Sequence, residues 1–282
     1  MILKIPVEDR VSTYPGRVVL TPVTGTTDTY TMSRADEPVT EGTPINKTLF
    51  DSKAYTLTSD VTIYVSSEGS DVEGDGSLDA PYKTIQKAID SIPKHLGGYT
   101  AEISVSFGVY SERIVVEGFT SGRLVVGRYG EVFSIDGIDI INSSFVETNI
   151  HQIDRLDGSS LPLFLAKDGS NVTIGSEMIL NGVDGGVTGM IAENNSHVVT
   201  ANNVKLTCNN CAMAVSAQWC SFVSLSEITG SDNVFGLSAS QGSIVSYKTD
   251  TLGKSWSNNA DSGGLVITGN NSTDLSGATL EL

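Results

Sequence analysis

The chain keeps returning to the same short pattern. Apolar strands introduced by Ser or Gly recur along its last two-thirds: Gly169-Ser170-Asn171-Val172-Thr173-Ile174, Asn195-Ser196-His197-Val198-Val199-Thr200, Ser221-Phe222-Val223-Ser224-Leu225 and Gln241-Gly242-Ser243-Ile244-Val245-Ser246-Tyr247. The steps from Val172 to Val198, Val198 to Phe222 and Phe222 to Ile244 are 26, 24 and 22 residues. Such a period marks a solenoid, in which each turn buries its apolar face against the next.

Two further series run between these strands. One is Phe164-Leu165-Ala166, Met190-Ile191-Ala192, Ala214-Val215-Ser216, Gly236-Leu237-Ser238 and Leu265-Val266-Ile267. The other, weaker, is Met178-Ile179-Leu180, Val204-Lys205-Leu206 and Glu227-Ile228-Thr229. Three short strands per turn, joined by polar corners, describe an all-β parallel β-helix. Asparagines crowd the corners, as at Asn194-Asn195, Asn202-Asn203 and Asn209-Asn210. Asn tolerates the left-handed backbone that tight corners require. A β-sandwich gives no reason for this return, and the leucine-asparagine frame of a leucine-rich repeat is absent.

Residues 1–60 read as a separate small module, and residues 61–282 as the β-helix domain. In the module, Val18-Val19-Leu20 and Tyr30-Thr31-Met32 are strand candidates, and Arg34 to Lys47 reads as an extended connector or a docking segment. The one helix is expected over 81–92. Asp79 would cap it, Pro81 would sit in its first turn, and Ile85, Ala88, Ile89 and Ile92 share one face. Placed before a solenoid, it reads as a lid over the first open turn. Ile103-Ser104-Val105, Ile114-Val115-Val116 and Leu124-Val125-Val126 begin the strands, with Gly108, Gly122, Gly127 and Gly130 at corners.

With 17 basic residues against 33 acidic ones, the chain carries a net charge of -16. That disfavours nucleic acid and acidic membrane surfaces as partners. No apolar run reaches the roughly 20 residues of a membrane span, so membrane insertion is not expected. The start, Met1 to Pro6, lacks the apolar core of a signal peptide. Three cysteines do not make a disulfide scaffold.

Asp75-Gly76-Ser77-Leu78-Asp79-Ala80-Pro81-Tyr82-Lys83-Thr84-Ile85-Gln86-Lys87-Ala88-Ile89 is similar to the opening of right-handed β-helix proteins of the pectin-lyase-like superfamily. That resemblance implies a right-handed coil with a capping helix. The family spans polysaccharide lyases, glycoside hydrolases, esterases and phage tailspikes. Tyr30 to Phe50, above all Arg34-Ala35-Asp36-Glu37-Pro38-Val39-Thr40-Glu41-Gly42-Thr43-Pro44-Ile45-Asn46-Lys47, resembles an N-terminal segment of tail-associated proteins from phages and prophages of Gram-positive bacteria. It implies attachment to a tail or baseplate protein and a homotrimer. It also implies a virion-tail location, assembled in the bacterial cytoplasm and acting at the outer surface of the target cell. The expected role is binding of a cell-wall polysaccharide, with enzymatic degradation of that polysaccharide, or a purely structural spacer, as alternatives.

Site candidates are few. Trp219 and Trp256 sit among polar residues, and Tyr247 and Asp232 extend the neighbourhood. An indole on a flat solenoid face stacks on a sugar ring, anchors a subunit or fills the core. Asp154, Asp157 and Asp168 form the densest acidic group near a base, Arg155, although solvated turns explain them as well. The acids at 71, 73, 75 and 79 lack the regular ligand positions of a calcium loop. Cys208-Asn209-Asn210-Cys211 has a half-zinc spacing without two further ligands, and core packing accounts for it. No cofactor or metal site is expected from the residues, although a structural divalent cation at a subunit axis would suit the acidic balance.

Overall fold

The computed structural model describes residues 11–12, 18–25, 30–34, 38–40, 56–155, 160–183, 186–250, 259–260, 262–268 and 279–281. The chain divides into two compact units, Ile2–Ala54 and Tyr55–Leu282. In the first, β1 (Val11–Ser12) pairs antiparallel with β4 (Pro38–Thr40), and β2 (Val18–Pro22) pairs antiparallel with β3 (Tyr30–Arg34). The expected strands are present. Part of the expected connector, Pro38–Thr40, is itself a paired strand. Pro44 and Lys47 lie outside the described residues.

The second unit is a parallel β-solenoid with three faces and, among the described residues, one short helix. Face 1 stacks β5 (Val61–Val65), β6 (Thr100–Val105), β8 (Arg123–Val126), β10 (Val146–Thr148), β13 (Asn171–Ile174) and β16 (His197–Thr200). It continues through the first halves of β19 (Phe222–Ser231) and β21 (Ile244–Asp250) to β23 (Leu265–Thr268). Face 2 stacks the first halves of β7 (Gly108–Glu117) and β9 (Phe133–Ile141) on β11 (Gln152–Asp154), β14 (Met178–Asn181) and β17 (Lys205–Asn209), then the second halves of β19 and β21. Face 3 takes the second halves of β7 and β9, then β12 (Phe164–Lys167), β15 (Thr188–Ala192), β18 (Met213–Ala217), β20 (Phe235–Ala239) and β22 (Asn259–Ala260). A last strand, β24 (Thr279–Glu281), pairs antiparallel with β23.

Like side chains stack inward in columns. On face 1 the column runs Leu124, Val146, Val172, Val198, Val223, Val245 and Val266, all buried. On face 3, Ile138, Phe164, Met190, Val215 and Leu237 form one column, and Ala166, Ala192, Ala217, Ala239 and Ala260 a second. Each large buried side chain contributes about 1.5–3 kcal/mol. The small alanines let the narrow interior close at its corner.

The register corrects the sequence reading in several places. Val223, not Phe222, continues the Val172–Val198 column; Phe222 pairs with His197 and faces outward. Leu265-Val266-Ile267 stacks on Ile244-Val245-Ser246 and belongs to face 1, not to the Phe164 series. On face 2, Met178 pairs with Leu206, so Val204 lies two positions out of step.

Face 3 passes to face 1 through a repeated corner. Two residues with positive φ precede a buried serine: Asp168-Gly169 before Ser170, Asn194-Asn195 before Ser196, Trp219-Cys220 before Ser221, and Gln241-Gly242 before Ser243. The serines form a ladder. The amides of Ser143, Ser170, Ser196 and Ser221 each donate to the hydroxyl of the next serine, at 3.2, 3.2, 3.1 and 3.1 Å. Corner amides that no strand could pair are thus satisfied inside the stack.

The helix, α1 (Ile85–Ser91), is shorter than expected. Asp79 does not cap it, and Pro81 is not in its first turn. Tyr82 is held extended, its amide bonded to Tyr64 and its carbonyl to Ser66. Thr84 is the N-cap, its hydroxyl accepting from the Lys87 amide. Glu112 accepts from the amides of Ile85 and Gln86 at 2.8 and 3.0 Å, where a helix start favours negative charge. Ile85, Ala88 and Ile89 are fully buried, and α1 contacts β5, β6 and β7.

Asp71 ties the preceding loop to this helix start. It accepts from the amides of Lys83 and Thr84 and from the Thr84 hydroxyl. Burial pushes its carboxyl up, but the bonds from Thr84 and Lys83 and the nearby Lys87 charge outweigh that and hold it below its ordinary value. A carboxyl depressed by folding stabilises the fold above its unfolded pKa of about 3.9 and loses that contribution as pH falls through the lower folded value. Asp71→Asn should therefore melt below the wild type at neutral pH. In circular dichroism melts the gap should close as the pH drops below about 4.

Candidate binding surface

Among the described residues, the two most exposed aromatic side chains belong to the segments that carry face 1 into face 2 in two adjacent turns. β6 reaches β7 through Ser106 and Phe107, and β8 reaches β9 through residues 127–132 in the next turn. Gly108 pairs with Phe133, which sets Phe107 beside Val132 one position earlier. Phe107 is 81% exposed, Tyr129 79%, Val109 66% and Val132 44%. Exposed apolar groups scattered singly need no explanation, but four of them on the same corner of two adjacent turns do.

The corner is held rigidly from below. Glu131 accepts from the Ser104 hydroxyl at 2.7 Å through one carboxylate oxygen, and from the amides of Val105 and Arg128 at 2.8 Å through the other. The loop is thereby fastened to the strand beneath it. Gly127 and Gly130, at φ +81° and +89°, supply the sharp bends around Tyr129. Tyr110 points inward, its hydroxyl donating to the Ser106 carbonyl at 3.1 Å and its ring meeting Phe133 edge-on at 6.3 Å. Burial pushes the Tyr110 hydroxyl above its ordinary pKa, against the opposing bond to Ser106. Beside the aromatic rings, Arg128 donates to Glu102 at 2.7 Å. The result is a preorganised apolar platform with a guanidinium and carboxylates at its margin. Such a platform suits a ligand with one apolar face and polar edges, the chemistry of a sugar ring.

The described residues among those singled out in the sequence occupy different corners and faces. Trp219 sits at the corner from face 3 to face 1, 45% exposed, at φ +51°. Asp168 occupies the same corner two turns earlier and accepts from the Asn194 side-chain amide at 2.9 Å. Asp232 lies at the opposite corner, between faces 2 and 3, at φ +58°. Tyr247 faces inward opposite Leu225 and is 8% exposed, so its ring packs in the core instead of facing a ligand. Asp154 faces outward on face 2 within a polar ladder. Gln152 and Asn181 donate to it, and Asn209 donates to Asn181. Asp157 and Trp256 lie outside the described residues. Cys208 and Cys211 are buried, and burial pushes the Cys211 thiol up to about 11.

Among the described residues no group of three or more His, Cys, Asp or Glu could hold a metal ion, and no helix is long and apolar enough to cross a membrane. Of the loop acids, Asp71 is engaged as above and Asp75 accepts from the Ser77 amide. Compared with known proteins, the chain matches no family model, no curated protein and no solved structure.

The sequence held a signal for the aromatic corner. Phe107-Gly108 and Tyr129-Gly130 each place an aromatic residue directly before a glycine. Both glycines read as corners.

Proposed function

We propose that this chain is a phage or prophage tail-associated protein whose solenoid presents a carbohydrate-binding surface to the host cell wall. The aromatic corner of Phe107 and Tyr129, braced by Glu131, is the observation that carries this reading. In it, Ile2–Ala54 serves as the attachment module, α1 lids the first turn of a right-handed coil, and the working form is a homotrimer. Several copies of one modest sugar site then gain through avidity what each lacks alone. Degradation of the polysaccharide is the weaker reading. Glycoside cleavage asks for two carboxylates facing one sugar ring, whereas Asp154 is engaged by Gln152 and Asn181, and Asp139 by Arg113.

The test is retention of the full chain on cell-wall polysaccharide extracted from Gram-positive bacteria. The wild type should bind. Phe107→Ala with Tyr129→Ala should weaken binding roughly tenfold or more without changing the melting temperature appreciably, since both rings are exposed. Undiminished binding by the double variant would remove this site. No binding by the wild type would leave a structural spacer. Shortened glycan chains after incubation would make the protein an enzyme.

A further inference from the structure

Among the described residues, one strand of the solenoid runs against all the others. β24 pairs antiparallel with β23, setting Thr279 opposite Thr268, Leu280 opposite Ile267 and Glu281 opposite Val266. The other strand pairings of this unit are parallel. A coil lengthens by laying its next strand parallel on the edge of the last. On face 1, β24 holds that edge in the reverse sense. It takes up the backbone groups that a further turn or a foreign strand would need.

The near end of the coil is closed as well, by other parts. On the outer edge of β5, the Tyr64 amide donates to the Gly76 carbonyl at 2.9 Å and the Ser66 amide to the Tyr82 carbonyl at 2.9 Å, while the Tyr64 carbonyl accepts from the Tyr82 amide at 3.0 Å. On β7, the side chain of Gln86 stands in for a strand. Its Oε1 accepts from the Val115 amide at 2.7 Å, and its Nε2 donates to the Val115 carbonyl at 3.2 Å. A primary amide carries an acceptor beside a donor, as a peptide group does, so one side chain answers both groups of an edge residue.

We propose that β24 guards the far edge of face 1, and that its displacement lets the β23 edges of two copies of this chain pair across a two-fold axis. β24 itself shows that this edge accepts an antiparallel strand. A second β23, turned about the two-fold, presents one. The bare edge would be Leu265-Val266-Ile267-Thr268, apolar and β-branched, a sequence that favours strand pairing. Because the near end is closed on β5 and β7, the pairing stops at the two-fold contact and does not grow into a fibre.

Two variants of the full chain test this. Thr279→Pro with Leu280→Pro and Glu281→Pro removes every amide donor of β24, so it cannot pair. Thr279→Ala with Leu280→Ala and Glu281→Ala trims the same side chains and keeps the donors. Both are sedimented at about 0.15 M salt, where charge repulsion is screened beyond about 8 Å. The proline variant should approach about twice the wild-type mass as its concentration rises, and the alanine variant should keep the wild-type mass. Hydrogen exchange should show β6 to β20 as protected in the proline variant as in the wild type. If the proline variant keeps the wild-type mass, β24 guards nothing. If its earlier turns lose protection, β24 is part of the core and the guard is equally overturned. Doubling of the alanine variant would overturn it too, because side chains and not backbone bonds would then close the edge.

Discussion

Gly230→Val is expected to unfold the later turns of the solenoid. Gly230 stands directly beneath Cys208 on face 2, at φ +155°. A Cβ there would lie 1.8 Å from the Cys208 carbonyl oxygen and 2.8 Å from its carbon. Backbone cannot yield as a flexible side chain does. The same carbonyl accepts from Asn233 at 2.7 Å, while Asn233 also accepts from the Cys211 amide, so displacement strips a buried amide group of its partners. A clash and broken buried bonds together should cost on the order of 4 kcal/mol. Urea denaturation of the variant against the wild type measures the loss. Gly263→Ala is the matched control: its φ is also positive, at +81°, but nothing lies within 4 Å of an added Cβ. It should cost only about 1–2 kcal/mol, the strain of a Cβ at left-handed backbone.

Phe164→Ala should be nearly as damaging, for a different reason. Phe164 is fully buried between Ile138 and Met190, in the middle of the face 3 column. Removing its ring leaves a cavity that neighbouring turns cannot close, at about 3–5 kcal/mol. In a stack where each turn touches only its neighbours, a weak turn at the centre uncouples the two ends. Hydrogen exchange should show protection falling first around β12 and the strands on either side. A uniform loss of protection across all turns would mean that the solenoid unfolds as one unit, against this expectation.

The period, the three strands per turn and the stacking of Val172 on Val198 were legible because buried apolar strands leave a regular trace. The register errors have physical sources. Phe222 drew the alignment one residue early, because a large apolar ring reads as core even when it faces out beside His197. Leu265 reads as a face 3 residue because the true strand there, Asn259–Ala260, is short and scarcely apolar. Asp79 and Pro81 looked like a helix start, but long-range bonds from Tyr64, Ser66 and Asp71 decided where the helix begins. Such bonds leave no local pattern. The site was harder still. Trp219 was visible by its rarity, whereas Phe107 and Tyr129 stand out only by their exposure at corners of adjacent turns.

The serine ladder sets a direction of construction. Each corner amide waits for a hydroxyl that the ribosome makes more than twenty residues later: Ser170 for Ser196, Ser196 for Ser221, Ser221 for Ser243. During synthesis the newest turn is therefore always left with one buried donor unanswered, and only its successor answers it. Gly264 follows Ser243 in this series and has no hydroxyl to offer, and the Ser243 amide turns to the Ser240 carbonyl instead. The relay closes there by a local bond, so a shortened chain cut between Ser170 and Ser243 would carry an exposed, unsatisfied edge that the complete series does not.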